Sequence, residues 1–128
     1  MSGKRYPWGD KLTHDDANYW GTGDKDQWEY CAPVGSFESN SYGLYDMAGN
    51  TWEWCADWYN GNYYSNSPTK DPLGPDKGQL FDWGGPCRVL RGGSWNVSTT
   101  NGRVAGRDFN IPSNMYFTYG FRCVSGLD

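Results

Sequence analysis

Regular alternation of hydrophobic and polar positions is confined to a few short stretches of the chain. Between Thr51 and Trp58 large apolar residues alternate with small or polar ones, which predicts a strand with its three tryptophans on one face. Residues 46–49, directly before it, predict a single helical turn that ends at a glycine. Long runs of helix formers are absent, so we expect loops and short strands over most of the chain.

Two further alternating stretches enclose the C-terminal part of the chain. Arg88–Arg91 predicts a half-buried strand, and residues 119–124 predict a second strand that pairs near the first. The 24 residues between them, Asn96 to Tyr119, have an irregular and polar pattern. An irregular insert held at both ends by a sheet is a usual position for binding groups, and an ordinary surface loop is the alternative.

Composition indicates one loop-rich domain that covers residues 1–128. The chain has 18 Gly, 8 Trp and 10 Tyr among its 128 residues, and its aromatic content is 18%. Because each large ring buries much surface, rings can replace the aliphatic core of a helical protein. Low hydropathy in this chain is therefore compatible with a compact fold.

Charge and hydropathy exclude several classes of partner. The formal net charge of −4 argues against nucleic-acid binding, which needs clustered Lys and Arg. No apolar run approaches the roughly 20 residues that span a bilayer, and no signal peptide precedes Lys4, so we expect a soluble chain without membrane insertion. The possibility that the chain belongs to an exported protein stays open.

The cysteines and the single histidine offer little catalytic chemistry. Cys31, Cys55, Cys87 and Cys123 stand in no zinc-binding pattern, and they could form disulfides in a secreted protein or buried free thiols in a cytosol. His14 lies in a polar run, where we expect a solvated side chain without a catalytic partner.

Oxygen-bearing side chains concentrate near the N-terminus, and they are typical either of a calcium site or of a solvated acidic loop. They are Asp15, Asp16, Asn18, Asp24 and Asp26. In the predicted strand, Glu53 projects toward Asp46 and the carbonyl of Gly49, which could form a second oxygen site.

Six motifs in order then resemble one known family. YPWG, ANYW, APVGSF, YGLYDMAGNTWEWCADWY, RVLRGGSW and GFRC are similar to those of the formylglycine-generating-enzyme, or sulfatase-modifying factor, domain family. The match runs from Tyr6 to Val124. It implies an α+β fold with little regular secondary structure, the C-type-lectin-like fold of the formylglycine-generating-enzyme type. Only the C-terminal part of the full-length domain would be represented.

The resemblance also argues against enzyme activity. Oxidases of this family carry two copper-binding cysteines shortly after GGSW, whereas this chain has no cysteine from residue 96 to 122. Amides and hydroxyls are poor ligands for copper(I). We therefore expect no catalytic residues and no copper. Cys123 lies in GFRC, a structural position in the family.

A branch of the same fold, the variable proteins of diversity-generating retroelements, is the nearest likeness. In that branch a C-terminal segment is diversified through adenine-rich codons, and the mutated codons cannot encode Lys, Glu, Gln, Met or Trp. These five types occupy 20 of residues 1–95 but only one, Met115, of residues 96–119. The segment 96–119 is therefore interpreted as a variable surface for a ligand, which we expect to be a protein.

Within this segment the resemblance implies a division between scaffold and contact residues. Arg103, Arg107, Pro112 and Met115 are interpreted as fixed scaffold positions. Tyr, Phe, Ser and Asn are the types that paratopes favour. The candidate contact residues are Asn96, Ser98, Asn101, Asp108, Phe109, Asn110, Ser113, Asn114, Tyr116 and Phe117.

Two other functions are weighed against this one. A catalytically inactive or divergent relative of the enzyme is the main alternative, and a lectin-like carbohydrate binder is a weaker one. The likeness to retroelement variable proteins also leaves a cell-surface or virion location open.

The resemblance further implies two structural calcium sites and a core of four rings. The first site comprises Asn18, the Tyr19 carbonyl, Asp26 and the Trp28 carbonyl, on a connection shorter than that of the enzymes. The second comprises Asp46, Gly49, Thr51 and Glu53. The rings expected in the scaffold are those of Trp52, Trp54, Trp95 and Phe121.

Overall fold

Short strands joined by long irregular segments make up the fold. The computed structural model describes residues 3–82 and 84–125. Its regular elements are strand β1 (Trp52–Trp58), a 3-10 helix (Tyr63–Ser65), and strands β2 (Arg88–Arg91), β3 (Asp108–Asn110) and β4 (Tyr119–Gly120). The predictions of strands at β1 and β2 are confirmed.

The four strands form one mixed sheet in the order β3-β2-β1-β4. Strand β2 is antiparallel to both β1 and β3, while β1 and β4 run parallel. Opposite β2, strand β1 is irregular, because Trp54 pairs with Leu90 whereas Trp58 pairs with Arg88. This bulge places extra residues in β1 and interrupts its simple alternation.

The closing strand lies in the same sheet as the first, as predicted, but it is shorter than predicted. It ends at Gly120 instead of residue 124, and it pairs with β1, which separates it from β2. At Gly120 the backbone lies so near Thr51 that an added Cβ would stand 2.9 Å from its hydroxyl oxygen. The residues from Phe121 to Ser125 are exposed, so nothing pairs their alternating pattern into the sheet.

The helical turn expected at residues 46–49 is also absent. Asp46 has a left-handed backbone with φ of 54°, which a right-handed turn does not allow. The carboxylate of Asp46 instead accepts a hydrogen bond of 2.8 Å from the backbone N–H of Gly35.

The core is small and mixes a few large rings with small side chains. Its most buried members are Tyr6, Ala17, Ala32, Phe37, Ala48, Trp52, Cys87, Val89 and Leu90. Strand β2 contributes Val89 and Leu90, and strand β1 contributes Trp52. With few aliphatic residues buried, buried backbone hydrogen bonds must define how the segments meet.

The pair Gly49–Asn50, here called the hub, is hydrogen-bonded to three remote segments of the chain, at Asn18, at Ala32 and at residues 92–95. The N–H of Gly49 donates to the carbonyl of Gly92 (2.8 Å), and the N–H of Asn50 donates to the carbonyl of Asn18 (2.8 Å). The carbonyl of Asn50 accepts from the N–H of Trp95 (2.9 Å). Its side-chain amide bonds both the N–H and the carbonyl of Ala32, at 3.1 and 3.2 Å.

All four cysteines lie in the described part of the chain and carry free thiols. Cys31 and Cys123 are exposed, whereas Cys87 is fully buried. Burial raises the pKa of the Cys87 and Cys55 thiols, which disfavours the reactive thiolate. Within residues 3–82 and 84–125, no helix has the length and apolar character needed to cross a membrane.

The hub yields a stability prediction for Gly49. Its φ is 79°, and a Cβ at this position would lie 2.2 Å from the carbonyl oxygen of Asn18. We expect Gly49→Ala to lower the free energy of unfolding by about 3 kcal/mol or more, because backbone strain and overpacking act together. Urea unfolding monitored by circular dichroism would measure it.

Gly43→Ala is the matched control. Gly43 has a similar φ of 73°, but nothing lies within 4 Å of its added Cβ. We expect this variant to lose only about 1 to 2 kcal/mol, the cost of the left-handed backbone alone. Equal losses in the two variants would contradict the role of the hub.

Candidate functional site

The segment 96–119, here called the loop surface, is tied at both ends to the same short stretch of chain. Just before it, the N–H of Trp95 donates to the carbonyl of Asn50 (2.9 Å). At its end, the N–H of Trp52 donates to the carbonyl of Thr118 (2.8 Å). Residues two positions apart therefore fix the start and the end of a 24-residue segment.

The middle of the loop surface adds a strand to the sheet, so the expectation of a wholly irregular insert is wrong. Strand β3 pairs with β2, with Phe109 opposite Val89. The ring of Phe109 stacks on Tyr59 at 3.9 Å and on Phe81 at 4.8 Å between ring centroids. These partners are remote in the chain, and three residues are too few to show a strand pattern.

The candidate contact residues divide by exposure. Ser98, Ser113, Tyr116 and Phe117 are exposed. The half-buried members are Asn96, Asn101, Asp108, Phe109, Asn110 and Asn114. Met115, expected to be a fixed position, is 93% exposed and Phe117 is 75% exposed. Three consecutive large side chains, 115–117, therefore project from the loop surface.

The half-buried amides hold the loop surface in shape. Asn110 donates from Nδ2 to the hydroxyl of Tyr119 (2.9 Å), and its Oδ1 accepts from Nδ2 of Asn114 (2.6 Å). The Oδ1 of Asn96 accepts from the hydroxyl of Ser94 (2.8 Å). These side chains order the loop, and their contact with a ligand stays a prediction.

Two arginines of the loop surface make contacts that order it, and their expected status as fixed scaffold positions stays a prediction. The guanidinium of Arg107 lies 4.3 Å from the ring centroid of Tyr64 and 5.1 Å from that of Tyr59. Arg103 donates from Nε to the carbonyl of Thr100 (2.8 Å). Arg103 and Pro112, two of the four expected scaffold positions, are exposed.

The four rings expected in the scaffold are not equally buried. Trp52 is 4% exposed, and Trp54 and Trp95 are half-buried. Phe121 is 75% exposed, so its expected place in the core is wrong. Strand β4 ends one residue before Phe121, so the sheet does not hold this ring against the core.

A cleft beside the loop surface contains rings that sequence reasoning missed. It has a volume of about 420 Å³ and is here called the aromatic cleft; its lining residues are Trp20, Gly21, Thr22, Glu29, Tyr30 and Trp95. The N–H of Trp20 donates to the carbonyl of Val97 (3.1 Å), which joins the cleft to the loop surface. Trp20 and Tyr30 lie in polar runs, and a large ring within a polar run is the signal that could have identified them as exposed rings.

The first expected calcium set is brought together and contains oxygens suited to a cation. Asn18 and Asp26 are fully buried. Oδ1 of Asn18 has no hydrogen-bond partner among the described residues, while its Nδ2 donates to the carbonyl of Tyr30 (2.7 Å) and lies 3.5 Å from that of Trp28. A buried oxygen without a donor is costly, and a cation would satisfy it.

The surroundings of this first set are electronegative. Burial raises the pKa of the Tyr19 phenol, and the charges of Asp26, Asp16 and Asp24 raise it further. His14, expected to be solvated, instead places Nδ1 3.0 Å from Oδ2 of Asp26 and stacks on Tyr19 at 4.0 Å. The expectation for His14 is therefore wrong, because Asp26 and Tyr19 bury most of its ring.

The second expected set does not fit calcium as it stands. Arg122 donates to both carboxylate oxygens of Glu53, from Nε at 2.6 Å and from a terminal nitrogen. It also donates to the carbonyls of Tyr45 (3.0 Å) and Asp46 (3.2 Å). Hydrogen bonding to Glu53 raises the pKa of Arg122, so the guanidinium stays charged where a metal cation is expected.

Clustered acidic side chains do not supply a metal centre either. Within residues 3–82 and 84–125, no group of three or more His, Cys, Asp and Glu side chains is arranged to hold a metal ion. Calcium at the first set would therefore depend on the single carboxylate of Asp26, the amide oxygen of Asn18 and backbone carbonyls.

Comparison with known proteins assigns the family. The sulfatase-modifying factor enzyme 1-like domain matches residues 1–127. The chain belongs to this family. The formylglycine-generating enzyme of Streptomyces coelicolor is 39% identical over 140 residues, which cover 100% of this chain and 42% of the enzyme. Mouse inactive C-alpha-formylglycine-generating enzyme 2 is 36% identical over 138 residues, 98% of this chain and 38% of that protein.

Solved structures show the same fold. Treponema denticola variable protein 1 matches with a TM-score of 0.70 and 32% identity, over 93% of this chain and 40% of that one. The expected fold of the formylglycine-generating-enzyme type is thereby confirmed. The chain spans about two fifths of the length of these relatives.

We propose that calcium binds the first set and not the second, and the two sets can be tested separately. Added calcium should raise the melting temperature, since a ligand of the native state stabilises it by about 2.7 kcal/mol at a hundredfold excess over Kd. Asp26→Asn should abolish this calcium-dependent shift. Differential scanning fluorimetry with calcium and with chelator measures it.

Glu53→Gln is the control for the second set. It removes a carboxylate that Arg122 already neutralises, so the shift caused by calcium should persist. Loss of the shift in Glu53→Gln but not in Asp26→Asn would reverse the assignment. Equal melting temperatures with calcium and chelator in the unmodified chain would remove calcium from both sets.

Proposed function

We propose that the chain is a ligand-binding module whose loop surface contacts a partner protein. One observation carries the proposal. Both ends of the loop surface are hydrogen-bonded to residues 50 and 52, while the side chains of residues 115–117 project from it. A segment fixed at its ends can change its projecting side chains with little effect on the fold.

The chemistry of the exposed positions supports protein recognition. Tyr116 is 54% exposed and Phe117 is 75% exposed, and hydroxyls of Ser98 and Ser113 accompany them. Exposed aromatic rings supply rigid contact area at a low entropic cost, and small polar residues adapt their hydrogen bonds. We infer that the two rings are the anchors of the interface.

Diversification of this surface is part of the proposal. Of the five residue types that the mutated codons cannot encode, the loop surface has one, whereas residues 1–95 have 20. Similarity to Treponema denticola variable protein 1 supports the same reading. A reverse-transcriptase gene and a near-repeat of the 3′ coding end beside this gene would be the corresponding genetic observation.

The alternative is an inactive or divergent relative of the formylglycine-generating enzyme. Similarity to the mouse inactive protein favours an inactive form. Residues 96–102 offer amides and hydroxyls where the family's oxidases have two cysteines, so they do not fit copper. Conversion of a cysteine peptide to an aldehyde in the presence of copper and oxygen would establish an enzyme and reject the proposal.

The binding role predicts that the surface rings serve recognition and not folding. The double variant Tyr116→Ser with Phe117→Ser should no longer capture the partners that the unmodified chain captures. Affinity capture followed by mass spectrometry identifies the partners of each. Both rings are exposed, so the free energy of unfolding should change by about 0.5 kcal/mol per site. Phe109→Ala should cost about 2 kcal/mol or more, because its ring stacks on Tyr59.

Tyr42→Ser with Leu44→Ser is the matched control for this capture experiment. Tyr42 is 67% exposed and Leu44 is 46% exposed, outside the loop surface. Partners retained by the control variant and lost by the loop-surface variant would support the proposal. Identical capture by both variants would contradict it.

A further inference from the structure

The aromatic cleft exposes rings that contribute little to the core. Trp20 is 70% exposed and Tyr30 is 64% exposed, and both line the same cleft. Large rings left in water next to one another are a mark of an interaction site. The cleft volume of about 420 Å³ lies in the range of small-ligand sites.

Its rings stand at an angle to one another. Trp95 and Tyr30 meet edge to face, with centroids 5.1 Å apart and planes at 75°. The ring of Phe117 also lies near Trp95, with centroids 5.8 Å apart and planes at 34°. The face of one ring and the edge of the next are thus presented together, so a rounded group can contact more than one ring.

The charge of the cleft has one sign. Among the described residues that line it, Glu29 is the single charged side chain. The faces of aromatic rings are the negative side of their quadrupole and attract cations. A carboxylate beside such faces disfavours an anion and favours a cation, and the chain as a whole carries a net charge of −4.

We propose that the aromatic cleft binds an organic ammonium group, namely a lysine or N-methylated lysine side chain that the partner presents beside the loop surface. This inference rests on the proposed binding function and names the chemistry of part of its ligand. Trp20 and Tyr30 contact the alkyl groups, Trp95 forms the floor, and Glu29 neutralises the charge. Phe117 then connects the cleft to the loop surface.

Tetramethylammonium is the direct probe of the cleft. In ¹H–¹⁵N spectra of the full chain, it should shift the indole N–H signals of Trp20 and Trp95 saturably. Choline and 3,3-dimethylbutan-1-ol have the same shape with and without the charge, so we expect the neutral compound to bind at least about tenfold more weakly than choline. Equal shifts with the neutral compound would overturn the proposal.

Variants assign the binding to the cleft. Trp20→Ala and Glu29→Gln should each weaken tetramethylammonium binding about tenfold. Tyr42→Ala and Glu38→Gln are the matched controls, because both residues are exposed and neither lines the cleft. A melting temperature for each variant verifies folding. Unchanged affinity in both cleft variants would contradict the site.

A last binding comparison identifies the source of the ammonium group. Tighter binding of a trimethyl-lysine or lysine peptide than of choline supports a side chain of the partner, and the reverse order overturns that assignment. The two proposals can fail separately. If the loop-surface variant loses captured partners while tetramethylammonium causes no shift, the binding function stands and the cation site is rejected.

Discussion

Two consecutive left-handed residues, Gly49 and Asn50, determine how the segments of this protein meet. Their φ values are 79° and 63°. Glycine is needed at the first position because the carbonyl of Asn18 occupies the space of a Cβ, and asparagine tolerates the second conformation better than most residues do. Their backbone and side-chain bonds reach Asn18, Ala32, Gly92 and Trp95, so irregular segments are fixed without a large apolar core.

The loop surface depends on this hub directly. Its first hydrogen bond is to the carbonyl of Asn50, and its last is from the N–H of Trp52, on the adjoining strand. The rings of Phe109 and the guanidinium of Arg107 then fix its middle against Tyr59. Between these anchors, the exposed residues 113, 116 and 117 carry little of the fold, which is the arrangement that variation in a binding surface requires.

Local patterns in the sequence predicted what depends on local order. Strands β1 and β2 are long enough to show alternating apolar and polar residues, and the ordered motifs were sufficient to predict the family. Strand β3 has three residues and gains its place from ring stacking with distant Tyr59, which no local pattern contains. Arg122 and Glu53 are 69 positions apart in the chain, so no local pattern predicted that Arg122 binds the carboxylate of the second calcium set. Phe121 is exposed, and strand β4 ends one residue before it, at Gly120.

Protease resistance of two displayed libraries would test most directly whether a fixed scaffold carries a variable surface. One library randomises the exposed positions Ser98, Ser113, Tyr116 and Phe117, and the other randomises the buried positions Ala48, Ser94, Gly102 and Thr118. Most members of the first library should resist protease as the parent does, and most members of the second should not. Similar, low fractions of resistant members in both libraries would contradict the separation of scaffold and surface.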